Sequence, residues 1–410
     1  MRSMGVYLHI PFCAKKCVYC DFLSGPATKQ MRQEYVETLK KEIVHEAEKY
    51  DAYRVGTIFF GGGTPSILDA EEIGAILKCL DAHYEIDVDA EITIEMNPGT
   101  TDRDKLLKLK EFGINRLSIG LQSADNAVLR MLGRIHTYED FLQTYNQSRE
   151  AGFVNINVDL MSSLPGQDRN DWRRTLEKVT ALQPEHISAY SLMIEEGTGL
   201  YHRLEEYPPL PDEDEDRQMD QTAKQILAET GYYRYEISNY ARKGYECRHN
   251  CIYWQRGVRH IADYAGFGLG ASSTVGNVRW KNTDDMEKYL RAFRDDHCTD
   301  DKEYAIGKEC TIENGQGSSG EMMPGNIKEQ IQQLSRNDRM EEFMFLGLRM
   351  TNGVSRLEFA DTFGVGMQDV YDKVLRKWVS RGMLVQSGDC IRLTDAGIDV
   401  SNMVLADFLI

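Results

Sequence analysis

The sequence predicts an α/β fold: a partial, TIM-like (βα)6 barrel, then a C-terminal α+β extension ending in a winged-helix-like module. Three observations predict it. Short β-branched or aromatic runs alternate with helical-period segments through residues 1–207. Glycines and polar residues stand at the carboxyl ends of consecutive runs. A proline- and acid-rich break at 208–216 then ends the alternation. Repeated βα units imply a parallel sheet covered by outer helices.

The strand candidates are Gly5–Ile10, Gly56–Phe60, Ala90–Glu95, Arg116–Leu121, Asn155–Leu160 and Glu185–Ser191. Each is short and apolar, bounded by turn-forming residues. Between them, Tyr35, Val36, Leu39 and Ile43 recur at helical spacing, as do Ile73, Ile76, Leu77 and Leu80. Six units predict an open barrel rather than a closed one.

In such folds ligands meet the carboxyl ends of the strands. The first strand leads into Cys13, Cys17 and Cys20. The second runs into Gly61-Gly62-Gly63-Thr64-Pro65, and the third ends at Glu95-Met96-Asn97-Pro98. The fourth ends at Gly120-Leu121-Gln122, and the fifth carries Asp159. Together they predict one shared site.

Three cysteines at this spacing suit three irons of a cubane iron–sulfur cluster, leaving the fourth iron open to another ligand. A zinc site would want a second cysteine pair or nearby histidines, and a disulfide framework an even, dispersed set in a secreted chain. The glycine run matches neither a Walker loop nor the dinucleotide fingerprint. It lets a backbone approach a ligand closely. Arg134, in Leu132-Gly133-Arg134-Ile135-His136, offers a guanidinium fork to a ligand carboxylate.

The cysteine spacing, joined to Gly61–Pro65 and the strand-end residues, resembles the radical S-adenosylmethionine enzymes. The resemblance spans the first half of the chain and implies a partial (βα)6 barrel, a [4Fe-4S] cluster on Cys13, Cys17 and Cys20, and S-adenosylmethionine on the open iron. Tyr7, Tyr19, Gly62, Gly63, Thr64, Glu95, Gln122, Arg134 and Asp159 match residues that contact this cosubstrate. By the same resemblance, Gly62, Gly63 and Thr64 meet its amino end, Glu95 and Arg134 its polar groups, and Gln122 and Asp159 its ribose and methionine portions.

Within that superfamily the chain looks like the branch of oxygen-independent coproporphyrinogen III dehydrogenase and the HemW-type haem chaperone. The dehydrogenase pattern has a fourth cysteine two places after the third, where this chain has Phe22, and a longer arm ahead of the cysteine loop. His249-Asn250-Cys251-Ile252-Tyr253-Trp254 resembles the chaperone's His-Asn-x-x-Tyr-Trp motif. The resemblance therefore implies a haem carrier, with radical decarboxylation of coproporphyrinogen propionates as the alternative. It also implies haem-accepting proteins and an electron donor as partners.

Residue chemistry alone reads the motif as a helix start with a core-facing Tyr–Trp pair. The resemblance makes His249 the axial ligand of haem, a common role for neutral imidazole. A small metal site of Cys247, His249 and Cys251 is a further alternative. Ser272 stands where relatives often place histidine, and extra residues after Trp254 add His260 as a rival ligand.

Three domains are expected: 1–207, the barrel with its cysteine loop; 208–310, an α/β segment of strands closing over the barrel mouth; and 311–410, a helical C-terminal domain. Met219–Thr230 reads as a helix, Tyr232–Tyr240 as a strand, Gly266–Trp280 as strands, and Gly315–Gly320 as a flexible insert. Phe343, Leu346 and Met350 are expected on one helix face, as are Leu375, Trp378 and Val379. A hairpin is expected around Ser387-Gly388-Asp389, then a capped helix from Asp395. A net charge of −17 over 410 residues disfavours a nucleic-acid partner. The absence of a signal-like apolar run after Met4 and of any membrane-length window, with nine cysteines that suit a reducing compartment, predicts the cytoplasm. Peripheral membrane contact and a homodimer remain open.

Overall fold

All six predicted strands form. The computed structural model describes residues 2–258, 263–294 and 326–410. β1 (Arg2–Ile10), β2 (Tyr53–Gly62), β3 (Glu85–Met96), β4 (Arg116–Gln122), β5 (Ile156–Ser162) and β6 (His186–Ser191) pair in parallel, in chain order. Polar caps start the helices between them. Thr28 accepts from the Met31 amide ahead of Lys29–Glu46, and capping boxes at Asp69, Thr137 and Asp168 start Ala70–His83, Tyr138–Glu150 and Arg169–Thr180. The eight residues expected to face the core from the first two of these helices are all buried.

Alternation along the strands sorts two faces. On β4 and β5, Leu117, Ile119, Leu121, Ile156, Val158 and Leu160 join the apolar core. Ser118, Gly120, Gln122 and Asp159, at the alternate positions, line an inner cavity. The barrel interior is thus polar, with Thr57, Glu91, Arg116, Asn157 and His186 all buried.

The remaining strands extend the sheet rather than closing over its mouth. β7 (Tyr233–Arg234) and β8 (Asn239–Ala241) form an antiparallel hairpin on the β6 edge. The single strand expected across 232–240 is broken there, because the Glu236 carboxylate accepts from the Ser238 amide (2.7 Å) and folds a turn. β9 (Asp263–Phe267) pairs in parallel with β1, and β10 (Ser272–Val275), β11 (Val278–Asn282) and β12 (Lys328–Gln333) follow antiparallel, completing a twelve-stranded open sheet.

After the break, Asp212 caps the helix Glu213–Glu229, as the acidic run predicts. Helices Arg336–Gly347, Arg356–Phe363 and Met367–Ser380 share a separate core with a three-stranded antiparallel sheet of β13 (Val354–Ser355), β14 (Leu384–Ser387) and β15 (Cys390–Leu393). The expected hairpin and the helix from Asp395, capped by Thr394, are present. Two face assignments need correcting. Val379 is exposed, and Met350 lies past its helix, bridging to Glu236. The insert at 315–320 and the expected boundary at 310/311 lie outside the described residues.

One buried clasp fixes the end of β1, from which the cysteine loop departs. The Tyr35 hydroxyl donates to the His9 carbonyl (2.7 Å) and accepts from the Leu269 amide (2.9 Å). Beside it, Glu42 accepts from the Gly268 amide (2.8 Å), Asn282 (2.7 Å) and the Tyr289 hydroxyl (2.6 Å). Burial pushes the Glu42 carboxyl up to about 7. Tyr35→Phe leaves a buried donor and a buried acceptor unsatisfied. We expect it to lower unfolding free energy by about 1–3 kcal/mol, read from denaturant midpoints; an unchanged midpoint would show the clasp to be incidental.

Candidate functional site

The cysteine loop is pinned at both ends. Near β1, the Cys13 amide donates to the Gly25 carbonyl (2.9 Å) and the Gly25 amide to the Pro11 carbonyl (3.0 Å). In the middle, Val18 bonds through its amide to Leu132 (3.2 Å) and through its carbonyl to Leu200 (2.7 Å). Cys13, Cys17 and Cys20 form no disulfide, and all three line one cavity of about 410 Å³. Eight of the nine residues expected at the cosubstrate line the same cavity: Tyr19, Gly62, Gly63, Thr64, Glu95, Gln122, Arg134 and Asp159. Tyr7 does not. Its hydroxyl bonds His9 Nδ1 (3.1 Å), and its ring backs Gly61.

The glycines explain how β2 meets the loop. The Gly63 amide donates to the Ile10 carbonyl (2.9 Å) and the Thr64 amide to the Phe12 carbonyl (2.8 Å). A Cβ on Gly63 would lie 2.7 Å from the Phe12 carbonyl oxygen. Gly62, at φ 109°, would meet the His9 ring at 2.5 Å. Only bare backbone fits between strand end and cysteine loop.

Hydrogen-bond donors reach two of the sulfurs: Thr64 Oγ1 lies 3.4 Å from Cys13 and Arg134 Nη1 3.8 Å from Cys17. Burial raises the Cys20 thiol pKa, a cost that binding to a cationic metal group offsets. Among the described residues no trio of His, Cys, Asp or Glu converges on a single metal ion. The alternative small site of Cys247, His249 and Cys251 is therefore not formed. Three thiols arrayed around a cavity fit a multi-iron body better than one ion.

Asn97, Tyr190 and Ser118 are site residues that sequence reasoning missed. Asn97 donates to Thr64 Oγ1 (2.8 Å) and accepts from Arg134 Nη2 (2.6 Å), joining the ends of β2 and β3 to the Arg134 loop. The signal for it was its place two residues beyond Glu95. Gln122 holds φ 73°, a strained setting for a residue with a side chain, and accepts from the Tyr190 hydroxyl (3.1 Å). Glu95 accepts from the Gly62 amide (3.2 Å); burial first, then the Asp159 charge, push its carboxyl up to about 8. Asp159 is raised by burial while Asn157 (2.8 Å) and Ser118 (3.2 Å) hold its oxygens. Two buried carboxyls in one cavity invite a cationic ligand.

His249 lies in the first turn of the helix Arg248–Trp254. Glu91, from β3, caps that turn by accepting from the His249 (3.0 Å) and Arg248 (3.1 Å) amides. The imidazole is buried and stacks on Phe59, with ring centres 5.1 Å apart. Its Nδ1 bonds Thr57 Oγ1 and its Nε2 bonds the Tyr253 hydroxyl, both at 2.8 Å. Burial pushes its pKa down to about 3, so the ring is neutral. Neither nitrogen faces open space, and iron ligation requires displacing one partner. The motif residue that lines the cavity is Asn250. Phe22, at the cavity rim, is 68% exposed. Ser272 is exposed on β10, and His260 lies outside the described residues.

Two family models match the chain: the radical SAM superfamily over residues 7–179 and the HemN C-terminal domain over 334–400. The curated relative named heme chaperone HemW from Lactococcus lactis is 31% identical over 410 residues, covering 100% of this chain and 98% of that protein. Its namesake from Bacillus subtilis is 31% identical, covering 99% of each. The solved structure of Escherichia coli coproporphyrinogen III oxidase (HemN), described as a radical SAM enzyme, superposes with a TM-score of 0.81 at 23% identity, over 100% of this chain and 90% of that one. That likeness establishes the fold.

The raised carboxyl of Glu95 has a measurable signature. Its folded pKa near 8 exceeds the ordinary 4.5, so its neutral form contributes stability in full below about 4.5, and the contribution fades as pH rises towards 8. Glu95→Gln stays neutral throughout. We expect the melting temperature of cluster-free Glu95→Gln to gain on wild type as pH climbs from about 5 to 8. A constant offset across that range would mean that Glu95 is already ionised.

Proposed function

We propose that this chain, which belongs to the HemW haem chaperone family of the radical SAM superfamily, binds haem, a [4Fe-4S] cluster and S-adenosylmethionine and delivers haem to acceptor proteins. The observation that carries this reading is full-length identity of 31% to proteins named heme chaperone HemW. Phe22 adds to it by putting a phenyl ring where the dehydrogenase pattern puts a fourth cysteine. Acceptor haem proteins and an electron donor are the partners that the reading requires, in the cytoplasm. Among the described residues no helix is long and apolar enough to cross a membrane. The winged-helix-like C-terminal module serves packing or partner contact in this reading.

In it, Cys13, Cys17 and Cys20 hold the cluster. Gly62, Gly63 and Thr64 meet the amino end of the cosubstrate, Glu95 and Arg134 its polar groups, and Gln122 and Asp159 its ribose and methionine portions. Thr64 and Asn97 fix the Arg134 fork, because both lie in one hydrogen-bonded chain with it. When bound, cluster and cosubstrate supply one-electron reductive cleavage of a carbon–sulfur bond. His249 is the haem ligand in this reading, released by displacement of the Tyr253 hydroxyl.

Anaerobic reconstitution followed by haem titration, with deoxyadenosine measured in the same sample, tests the reading. We expect stoichiometric haem uptake and no vinyl product from coproporphyrinogen. Porphyrinogen turnover coupled to deoxyadenosine would establish the decarboxylase instead. Cys13→Ala is expected to lose the cluster's near-visible absorption together with iron and sulfide; unchanged iron content would sink the cluster assignment. His249→Ala is expected to shift the Soret band and weaken haem binding, whereas an identical spectrum and affinity would remove His249 as a ligand.

A further inference from the structure

A second cavity, of about 500 Å³, opens between the β1–β9–β10 side of the sheet and the first two helices of the C-terminal module. Its lining combines three arginines, Arg2, Arg256 and Arg339, with the apolar Val258, Leu334 and Phe363. Cations beside apolar walls suit an amphipathic anion.

Two carboxylates also line the cavity, and both are already engaged. Glu342 accepts from Arg279 (2.5 Å) and pairs with Arg256 (3.7 Å). Asp263 accepts from the Tyr53 hydroxyl and the Gly276 amide, both at 2.8 Å. Arg339 is different. Its guanidinium makes no ion pair or hydrogen bond among the described residues, and its Nε is buried without a partner. The residue is half-buried, so the outer nitrogens of its guanidinium stay open to a ligand in the cavity.

Position gives the cavity its meaning. Arg256 follows the motif helix by two residues, and its guanidinium lies 5.4 Å from the Tyr264 ring centre. Tyr264 packs edge-on against Tyr253 at 4.8 Å, and Tyr253 bonds His249 Nε2. Two aromatic rings thus join the arginine cavity to the imidazole. The cysteine-lined cavity, of about 410 Å³, is taken by the cluster and the cosubstrate in the reading above. A tetrapyrrole needs room elsewhere.

We infer that the cavity between the sheet and the C-terminal module is a carboxylate-anchoring site for haem, in which Arg339 holds a propionate and Val258, Leu334 and Phe363 cover the macrocycle edge. This rests on the haem-binding reading above and adds where the ligand's charged edge sits. It also gives the C-terminal module a task, since that module supplies Arg339, Leu334 and Phe363.

Full-length wild type and Arg339→Gln, titrated with haemin and with haemin dimethyl ester, test it. Esterification removes the propionate charges and leaves the ring. We expect wild type to prefer haemin over the ester by roughly tenfold or more, the scale of one charge-assisted hydrogen bond. Arg339→Gln should lose most of that preference while binding the ester as wild type does, which also shows the variant to be folded. Equal binding of the two ligands by wild type, or full preference retained in Arg339→Gln, overturns the site and leaves haem carriage standing. Wild type that takes up no haemin overturns both.

Discussion

The site depends on one close approach: the end of β2 lies against the cysteine loop with no side chain between. Two backbone hydrogen bonds, from Gly63 and Thr64 to Ile10 and Phe12, zip the strand to the loop. Any Cβ at Gly62 or Gly63 would wedge them apart. From that zipper Thr64 reaches Cys13, Asn97 reaches Thr64, and Arg134 reaches both Asn97 and Cys17. Two of the sulfurs are therefore held from the β2 end, the β3 end and the Arg134 loop acting together, and the glycines matter first as packing and only then as ligand contacts.

Much of this was legible in the sequence, because βα alternation, cysteine spacing and strand-end residues are local patterns. The strands and the two core-facing helix stripes came from such patterns, and eight of the nine residues that the family resemblance named line the cysteine cavity. What was not legible depends on contacts far apart in the chain. Thr57 and His249 are 192 residues apart, and His249 and Glu91 158. No spacing rule shows that an imidazole will be enclosed by partners that distant. The strands of Gly266–Trp280 were visible as strands, yet alternation does not say which edge they join. The break at Glu236 was hidden because a carboxylate folding back on the next amides looks, in sequence, like one more alternating polar residue.

The polar interior connects the two ends of the barrel. Asp159, in the cysteine-lined cavity, accepts from Asn157, which accepts from His186 Nδ1 (2.6 Å). His186 Nε2 bonds the Tyr235 hydroxyl (2.8 Å), which accepts from the Cys247 amide (3.3 Å) at the start of the motif helix. Burial lowers the His186 pKa, so this chain of bonds is neutral at its centre. Buried Arg116 places its positive charge beside Glu91 and Asp159, while burial keeps the neighbouring Tyr235 and Cys247 protonated. Such a network tolerates little loss, since removing one member leaves its neighbours unsatisfied in low dielectric.

His249 belongs to this interior as much as to any ligand. Its neutral ring, stacked on Phe59 and bonded at both nitrogens, is what a structural imidazole looks like. It is also how an iron ligand would be stored, since neutrality is the state that coordinates metal and a tyrosine hydroxyl is a weak competitor for it. The two roles differ in what must move. A structural His249 asks nothing of Tyr253. A ligand His249 needs Tyr253 to swing away, and Tyr253 also packs edge-on against Tyr264 and Trp254. Tyr264 in turn lies beneath the Arg256 guanidinium. An anion drawing on Arg256 would act on that stack from the far side. Burial makes the imidazole neutral, and its aromatic neighbours decide whether Nε2 can be reached.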